Sequence, residues 1–255
     1  MKKGILTVLI AIVSIAIILV GFFIIKGKTY KVQNPIATIQ IEGYEKPIKI
    51  ELDPQSAPNA VANFVKLANN GFYNNYKVTI EESGLTASDS KEARLSNIQE
   101  NPQSDYVYGI KGDFVRNDVQ NFIRHEKGVI TMERDDYSYF GYTEEGYNSA
   151  NSKFSILTQN VDSYNGISTA FGKVIEGMDV LDAIAATRVD ETTDDSDDDV
   201  TEDATTEDDS KNTIIIKSIT VDTFGVDYGM PQVFNNEEVT EKVNQIYQQY
   251  FGGNQ

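Results

Sequence analysis

A mainly β chain, built as an antiparallel sheet or barrel whose open ends are covered by helices and preceded by one transmembrane helix, is what this sequence predicts. Three observations predict it. Short segments of period-two alternation recur along the body, two amphipathic helical segments stand far apart, and a long uncharged apolar stretch opens the chain.

The stretch from Ile5 to Ile25 is interrupted only by Thr7, Ser14 and Gly21. As a helix it spans roughly 31 Å, the thickness of a hydrocarbon core of about 30 Å. After Leu19 the chain runs VGFFIIKGK, without a small-x-small cleavage site or a lipid-accepting cysteine, so an uncleaved anchor is expected rather than a cleaved signal. Lys2 and Lys3 precede the span while Lys26, Lys28 and Lys31 follow it, and the positive-inside count does not decide orientation. A short head before an acidic body gives the expectation of a single-pass cell-membrane protein with an extracytoplasmic body. The expected division is a head at 1–4, an anchor at 5–25, a linker at 26–34, a globular domain at 35–224 and a polar tail at 225–255.

Within the body, Ile36 to Glu42 and Ile48 to Leu52 alternate apolar and polar residues around a Gly43–Pro47 turn, the pattern of a hairpin with one buried face. Ser56 and Pro58 supply a capping residue and an early-turn proline, Val61, Phe64, Val65 and Ala68 recur at helical spacing, and Gly71 supplies the stop. From Val78 to Pro102 periodicity is poor. Tyr106–Phe114, Gly128–Glu133, Lys153–Thr158 and Ala170–Ile175 read as short strands, Met178, Leu181 and Ala185 mark a second helix, and Thr213–Val221 is a final β-branched strand. Beyond it, Val239, Val243, Ile246 and Tyr250 share one side of a polar helix in the tail.

Composition removes several function classes. The formal charge is −17, but twelve acids with no Lys or Arg lie in Asp190–Asp209, which leaves the remainder near −5. Without a basic stripe, nucleic acid is not an expected partner. The acidic run at 190–209 lacks the Asp-x-Asp-x-Asp-Gly spacing and terminal Glu of a calcium loop and reads as a solvated loop. There is no cysteine, hence no disulfide, thiolate metal site or thiol nucleophile. No serine stands in a Gly-x-Ser-x-Gly elbow. No cofactor or metal is expected. His125, the sole histidine, reads as a structural residue at the surface, and Tyr137–Tyr142 as an aromatic cluster in a loop.

Several ordered motifs carry a family resemblance. Asn59–Phe64, Asn70-Gly71-Phe72-Tyr73, Ile110-Lys111-Gly112-Asp113-Phe114, Gly128–Met132, Ser152-Lys153-Phe154 and Ala170–Val180 resemble the cyclophilin-type peptidyl-prolyl isomerases in order and approximate spacing. The resemblance covers roughly Pro35 to Val221 and implies an eight-stranded antiparallel barrel capped by two helices. It also implies a groove for proline-containing polypeptide. Rotation about X-Pro must cross a barrier of roughly 18–20 kcal/mol, which the family lowers with an arginine, a glutamine and an apolar pocket.

Carried over by position, these roles fall on other residue types. The arginine position becomes Ile80, and the segment ending in the glutamine becomes Leu85, Thr86 and Ser88 at its mapped positions. The strand glutamine and phenylalanine become Lys153 and Ser155, and the small residue after the strand methionine becomes Glu133. Ser163, Tyr164 and Ser168 take the remaining groove positions. Arg94, in the irregular segment, is the candidate for a rescuing cation, with Lys77 adjacent to the groove strand. Losing one preorganised donor typically costs about 2.7–4 kcal/mol of transition-state stabilisation. The expectation is a tethered domain that binds or chaperones polypeptide segments or envelope proteins with weak or no isomerase activity. The alternatives are an active isomerase with a rebuilt site, assisting exported proteins, and a scaffold acting through its tail.

Overall fold

The computed structural model describes residues 33–188 and 212–251. The apolar run at 5–25 and the acidic run at 190–209 lie outside the described residues, within which no helix is long and apolar enough to cross a membrane. The strands are β1 (Ile36–Ile41), β2 (Ile48–Leu52), β3 (Tyr76–Ile80), β4 (Gly84–Ala87), β5 (Tyr108–Ile110), β6 (Val129–Met132), β7 (Phe154–Leu157), β8 (Ala170–Glu176), β9 (Thr213–Asp222) and β10 (Val233–Asn235). Eight of them close into an antiparallel barrel in the order β1-β2-β8-β6-β7-β4-β3-β9, with β9 pairing back onto β1. Closure leaves no free edge in the barrel.

Alternation decides which side chains fill the barrel. In β1, Ala37, Ile39 and Ile41 are buried between half-exposed neighbours, and Ile48, Ile50 and Leu52 do the same in β2. Helix α1 (Pro58–Asn69) drives Phe64 into the interior, where its ring meets Tyr73, Phe154 and Phe171 at centroid separations of 5.4, 5.5 and 5.3 Å. Such packing adds about 0.5–1.5 kcal/mol per aromatic pair beyond burial alone. The α1 stop is a Schellman turn: Gly71 takes φ +73°, its N–H donates to Ala68, and the Phe72 N–H donates to Leu67. A five-residue α2 (Thr143–Tyr147) lies in the loop before β7. Helix α3 (Met178–Ala185) buries Val180, Leu181 and Ile184 in the same core. It starts beside Ile48, where β2 begins, whereas α1 follows the other end of that strand.

Three sequence expectations change. Ser56 does not cap α1; its hydroxyl donates to Asp53, and the N-cap residue is Ala57, which makes no side-chain cap bond. The cap comes from Asp113, fully buried, whose carboxylate accepts from the Ala60 N–H at 2.9 Å and the Asn59 amide at 2.8 Å. Between Val78 and Pro102 the aperiodic sequence nonetheless holds the end of β3 and all of β4, because both strands are short and half of their outward residues are threonines rather than charges. The Tyr106–Phe114 strand is real but shorter, and it lies outside the barrel: β5 pairs with β10 of the C-terminal segment.

That pairing makes an annex of the insertion after β4 and the chain after β9. The fourth helix, α4 (Glu237–Phe251), lies along it with Val239 and Val243 buried against Tyr137, Phe140 and Tyr142. Asn151 stitches the insertion to the barrel: its amide donates to the Ala93 carbonyl and accepts the Ala93 N–H, and it also bonds the Tyr108 carbonyl. The Tyr108 hydroxyl donates to Asn63 of α1 at 2.6 Å.

Asp113 is the test of this arrangement. Asp113→Ala strands a buried backbone N–H and a side-chain amide, and the expected loss is about 2–4 kcal/mol, read as a lower urea midpoint with an unchanged slope. A loss within the roughly 0.5 kcal/mol usual for surface substitutions would show that the cap is not structural.

Candidate functional site

Several of the family-mapped positions lie on the side of the β3-β4-β7-β6 wall that faces away from the core. Its register pairs Thr79 with Thr86, Thr86 with Ser155, and Ser155 with Thr131. These four residues make one row across four strands on the side away from the barrel core; Thr79 and Thr86 are half-buried, and Ser155 and Thr131 are themselves buried beneath the neighbouring loops. The Thr86 and Ser155 hydroxyls lie 2.8 Å apart, and Ser155 donates to the Glu133 carboxylate at 2.6 Å. Since the Ser155 proton goes to Glu133, Thr86 supplies the proton between the two hydroxyls. The wall therefore carries a three-member polar chain.

Two mapped positions are not on this face. Ile80 and Leu85, each 2% exposed, pair with one another on the interior side and belong to the core. The reason is parity: in β3 the outward residues are Lys77 and Thr79, and in β4 the outward residue beside Ser155 is Thr86. Thr79, not Ile80, is the β3 residue of the row. Ser88 is exposed just past β4, with its N–H on the Lys77 carbonyl. Phe154, between the mapped Lys153 and Ser155, is fully buried in the core.

Glu133 follows β6 and is half-buried. Burial pushes its carboxyl up, the Ser155 hydrogen bond opposes this, and the Glu81 charge raises it further, while Arg134 and Lys153 pull it down. Tyr164, in a 3-10 turn at Asp162–Tyr164, is also held up, by burial and by the charges of Glu133 and Glu81. Glu133, Glu81 and Tyr164 thus share one electrostatic environment. Lys153 is exposed, with its carbonyl accepting the Glu133 N–H; Ser163 is exposed; and Ser168 is half-buried with its N–H on the Tyr164 carbonyl.

His125 is not at the surface. It is 1% exposed, lies edge-on to Tyr164 at 5.7 Å, and meets the Thr131 end of the row. Asn165 Oδ1 accepts the His125 backbone N–H at 2.9 Å and faces Nδ1 at 3.2 Å, which places the ring proton on Nδ1. Nε2 then faces the Thr131 hydroxyl at 3.1 Å. Burial lowers the imidazole's proton affinity, only partly offset by Asn165. The neutral ring fixes the Tyr164 turn against the wall.

The expected rescuing cation is committed elsewhere. Arg94 does not reach the row: it bridges Asp105 at 3.2 Å and Glu237 at 3.0 Å in the annex. Arg134, which position-by-position mapping passed over, stands next to Glu133; its Nε donates to the Ile167 carbonyl at 3.0 Å and its guanidinium lies over Tyr147 at 5.2 Å and Phe114 at 5.6 Å. The signal for it was its place directly after a mapped residue. Among the described residues no group of three or more His, Asp or Glu side chains is arranged to hold a metal.

A closed eight-stranded antiparallel barrel with helices at both ends defines the class of a cyclophilin-like barrel. The family model for cyclophilin type peptidyl-prolyl cis-trans isomerases matches residues 36–220, and the chain belongs to that family. It is 30% identical over 149 residues to peptidyl-prolyl cis-trans isomerase A of Dickeya dadantii, a match covering 56% of this chain and 68% of that protein. It is 31% identical over 133 residues to peptidyl-prolyl cis-trans isomerase B of Bacillus subtilis, covering 52% of this chain and 78% of the relative. Among solved structures, a cyclophilin type peptidyl-prolyl cis-trans isomerase of Cryptosporidium parvum aligns with a TM-score of 0.49 at 19% identity, over 73% of this chain and 96% of that one.

The environment of Glu133 has a pH consequence. Its proton is held more tightly in the fold than its ordinary value of 4.5, so the associated stability is fully present below that value and is lost as pH rises through the raised one. Glu133→Gln, which keeps an acceptor for Ser155, is expected to exceed the parent in stability at neutral pH. The gap should close below the ordinary carboxyl value. Unfolding curves at the two pH values check this, and a parent more stable than the variant at neutral pH would contradict it.

Proposed function

We propose that this chain is a membrane-tethered cyclophilin-family domain that holds polypeptide segments, in a chaperone-like role, with isomerase activity weak or lost. One observation carries the reading: the wall that would receive a proline ring is a hydrogen-bonded row of Thr86, Ser155 and Glu133, and the candidate Arg94 is spent on Asp105 and Glu237. Catalysis of X-Pro rotation needs an apolar seat for the ring and a donor aimed at the twisted amide. Hydroxyls and a carboxylate supply neither, whereas the half-buried Thr86 and Glu133 keep oxygen lone pairs that can accept from backbone amides of a bound strand. On a proline tetrapeptide, full-length protein in detergent is expected to give kcat/KM at least about a hundredfold below that of the Bacillus subtilis relative, the scale of losing one preorganised donor.

A second reading, an active isomerase with a rebuilt site, is favoured by the guanidinium of Arg134 beside Glu133. Acceleration close to that relative's, abolished in Arg134→Ala, would establish it in place of the first.

The tether is proposed to be the apolar run at 5–25, with the body facing outward from the cytoplasm, a reading supported by hydropathy and by the acidic character of the body. Because the chain has no cysteine, Gln249→Cys provides a single label site. A membrane-impermeant maleimide should react with it in intact cells; reaction only after lysis would reverse the orientation.

A further inference from the structure

The annex adds a concave surface beside the barrel wall. A cavity of about 130 Å³ is lined by Glu133 and Lys153 from the barrel side and by Glu92, Val107, Asn236 and Thr240 from the annex. A second cavity, of about 630 Å³, runs beneath α4 and shares four of those residues, Glu92, Val107, Asn236 and Thr240. Shared walls make the two one trench. It leads from Glu133 along the insertion to Gln248, near the end of α4.

The helix is two-sided in a way that suits a trench wall. Val239 and Val243 bury one side against Tyr137. The other side presents Thr240, Glu241, Asn244, Gln245 and Gln248, spaced at three and four residues, to the cavity. Carboxamides both donate and accept, so this stripe can pair with the backbone of an extended segment whatever its side chains. Charge decides which segment. Glu92, Glu133, Asp135, Glu237 and Glu241 line the trench against Arg134 and Lys153. Glu237 is answered by Arg94, while Glu92, Asp135 and Glu241 have no ion pair among the described residues.

We propose that the trench between α4 and the insertion binds the flanking part of a polypeptide whose core lies on the barrel wall, and that it selects extended segments carrying lysine or arginine. This rests on the polypeptide-holding reading above and deepens it. The partner is a basic, extended peptide: its backbone is met by the Asn and Gln stripe, and its cations by Glu92, Asp135 and Glu241. An acidic segment is disfavoured there by like charge.

Fluorescence anisotropy on the full chain in detergent tests it, with three labelled peptides: an Ala-Pro core alone, the core extended by a lysine-rich flank, and the core extended by a glutamate-rich flank. The lysine peptide is expected to bind about tenfold tighter than the glutamate peptide at low salt, with the preference shrinking as salt is raised. In the double variant Glu92→Lys with Glu241→Lys, both exposed positions, the preference should vanish or invert while the core peptide binds as before. The single variant Glu241→Gln, milder for folding, should reduce the preference in the same direction. Equal binding of the two flanked peptides by the parent, or an unchanged preference in the double variant, overturns the trench assignment. Failure of the core peptide to bind, with the lysine preference intact, instead overturns the barrel-wall reading and leaves the trench standing.

Discussion

Asp113 is the contact through which the parts of this molecule constrain one another. Its carboxylate closes the N-terminus of α1, its N–H donates to Thr169 at 2.9 Å, and its carbonyl accepts from Asn121, which also bonds Ala170 at the start of β8. Asn59, held by the same carboxylate, accepts the Gln232 N–H of the C-terminal segment at 2.8 Å. One buried acid thus links the barrel helix, the loop after the insertion, a barrel strand and the annex. Burial pushes its carboxyl up while Asn59 and Ala60 pull it down. The positive end of α1 is where such a group costs least.

The barrel tolerates wholesale change on its outside because its two faces answer to different physics. Inward positions such as Ile39, Ile50, Ile80, Leu85 and Phe154 are close-packed, and volume and shape limit them. Outward positions on the β3-β4-β7-β6 wall need only satisfy their polar atoms, and Thr86, Ser155 and Glu133 do so among themselves. A family fold can therefore persist while the face used for chemistry is rewritten. His125 shows the intermediate case: a polar residue drawn into the wall, kept neutral by burial, and used to set the position of the Tyr164 turn.

The annex illustrates how an insertion and a terminal extension stabilise each other when neither has enough core alone. β5 and β10 each contribute three residues of ladder, too few to stand without support. Glu237 adds a carboxylate that takes both the Val107 N–H and the Arg94 guanidinium, and Val239 and Val243 add an apolar contact with Tyr137. The surface ion pair is worth little by itself. Joined to the backbone ladder and the Asn151 bonds, it fixes one edge of the trench.

Much of the scaffold was legible in the sequence alone. Period-two alternation located β1 and β2, short apolar and β-branched runs located β6, β7, β8 and β9, helical spacing located α1, α3 and α4, and the ordered motifs pointed to the family whose model matches residues 36–220. These signals are local, because each segment's own burial sets its pattern: alternation where one face is buried, as in β1 and β2, and a continuous apolar run where both are, as in β6 and β7. The site was only partly legible. Glu133, Ser155 and Thr86 were named, but counting along the chain placed Ile80 and Leu85 in the groove, and no count reveals the strand parity that turns them inward. Tertiary structure alone decided that Asp113 caps α1 from 53 residues away, that Arg94 serves the annex, and that the Arg134 guanidinium lies over Tyr147 and Phe114. Each of those depends on pairing between distant segments, whose partners are chosen by the closed barrel and not by the neighbours in sequence.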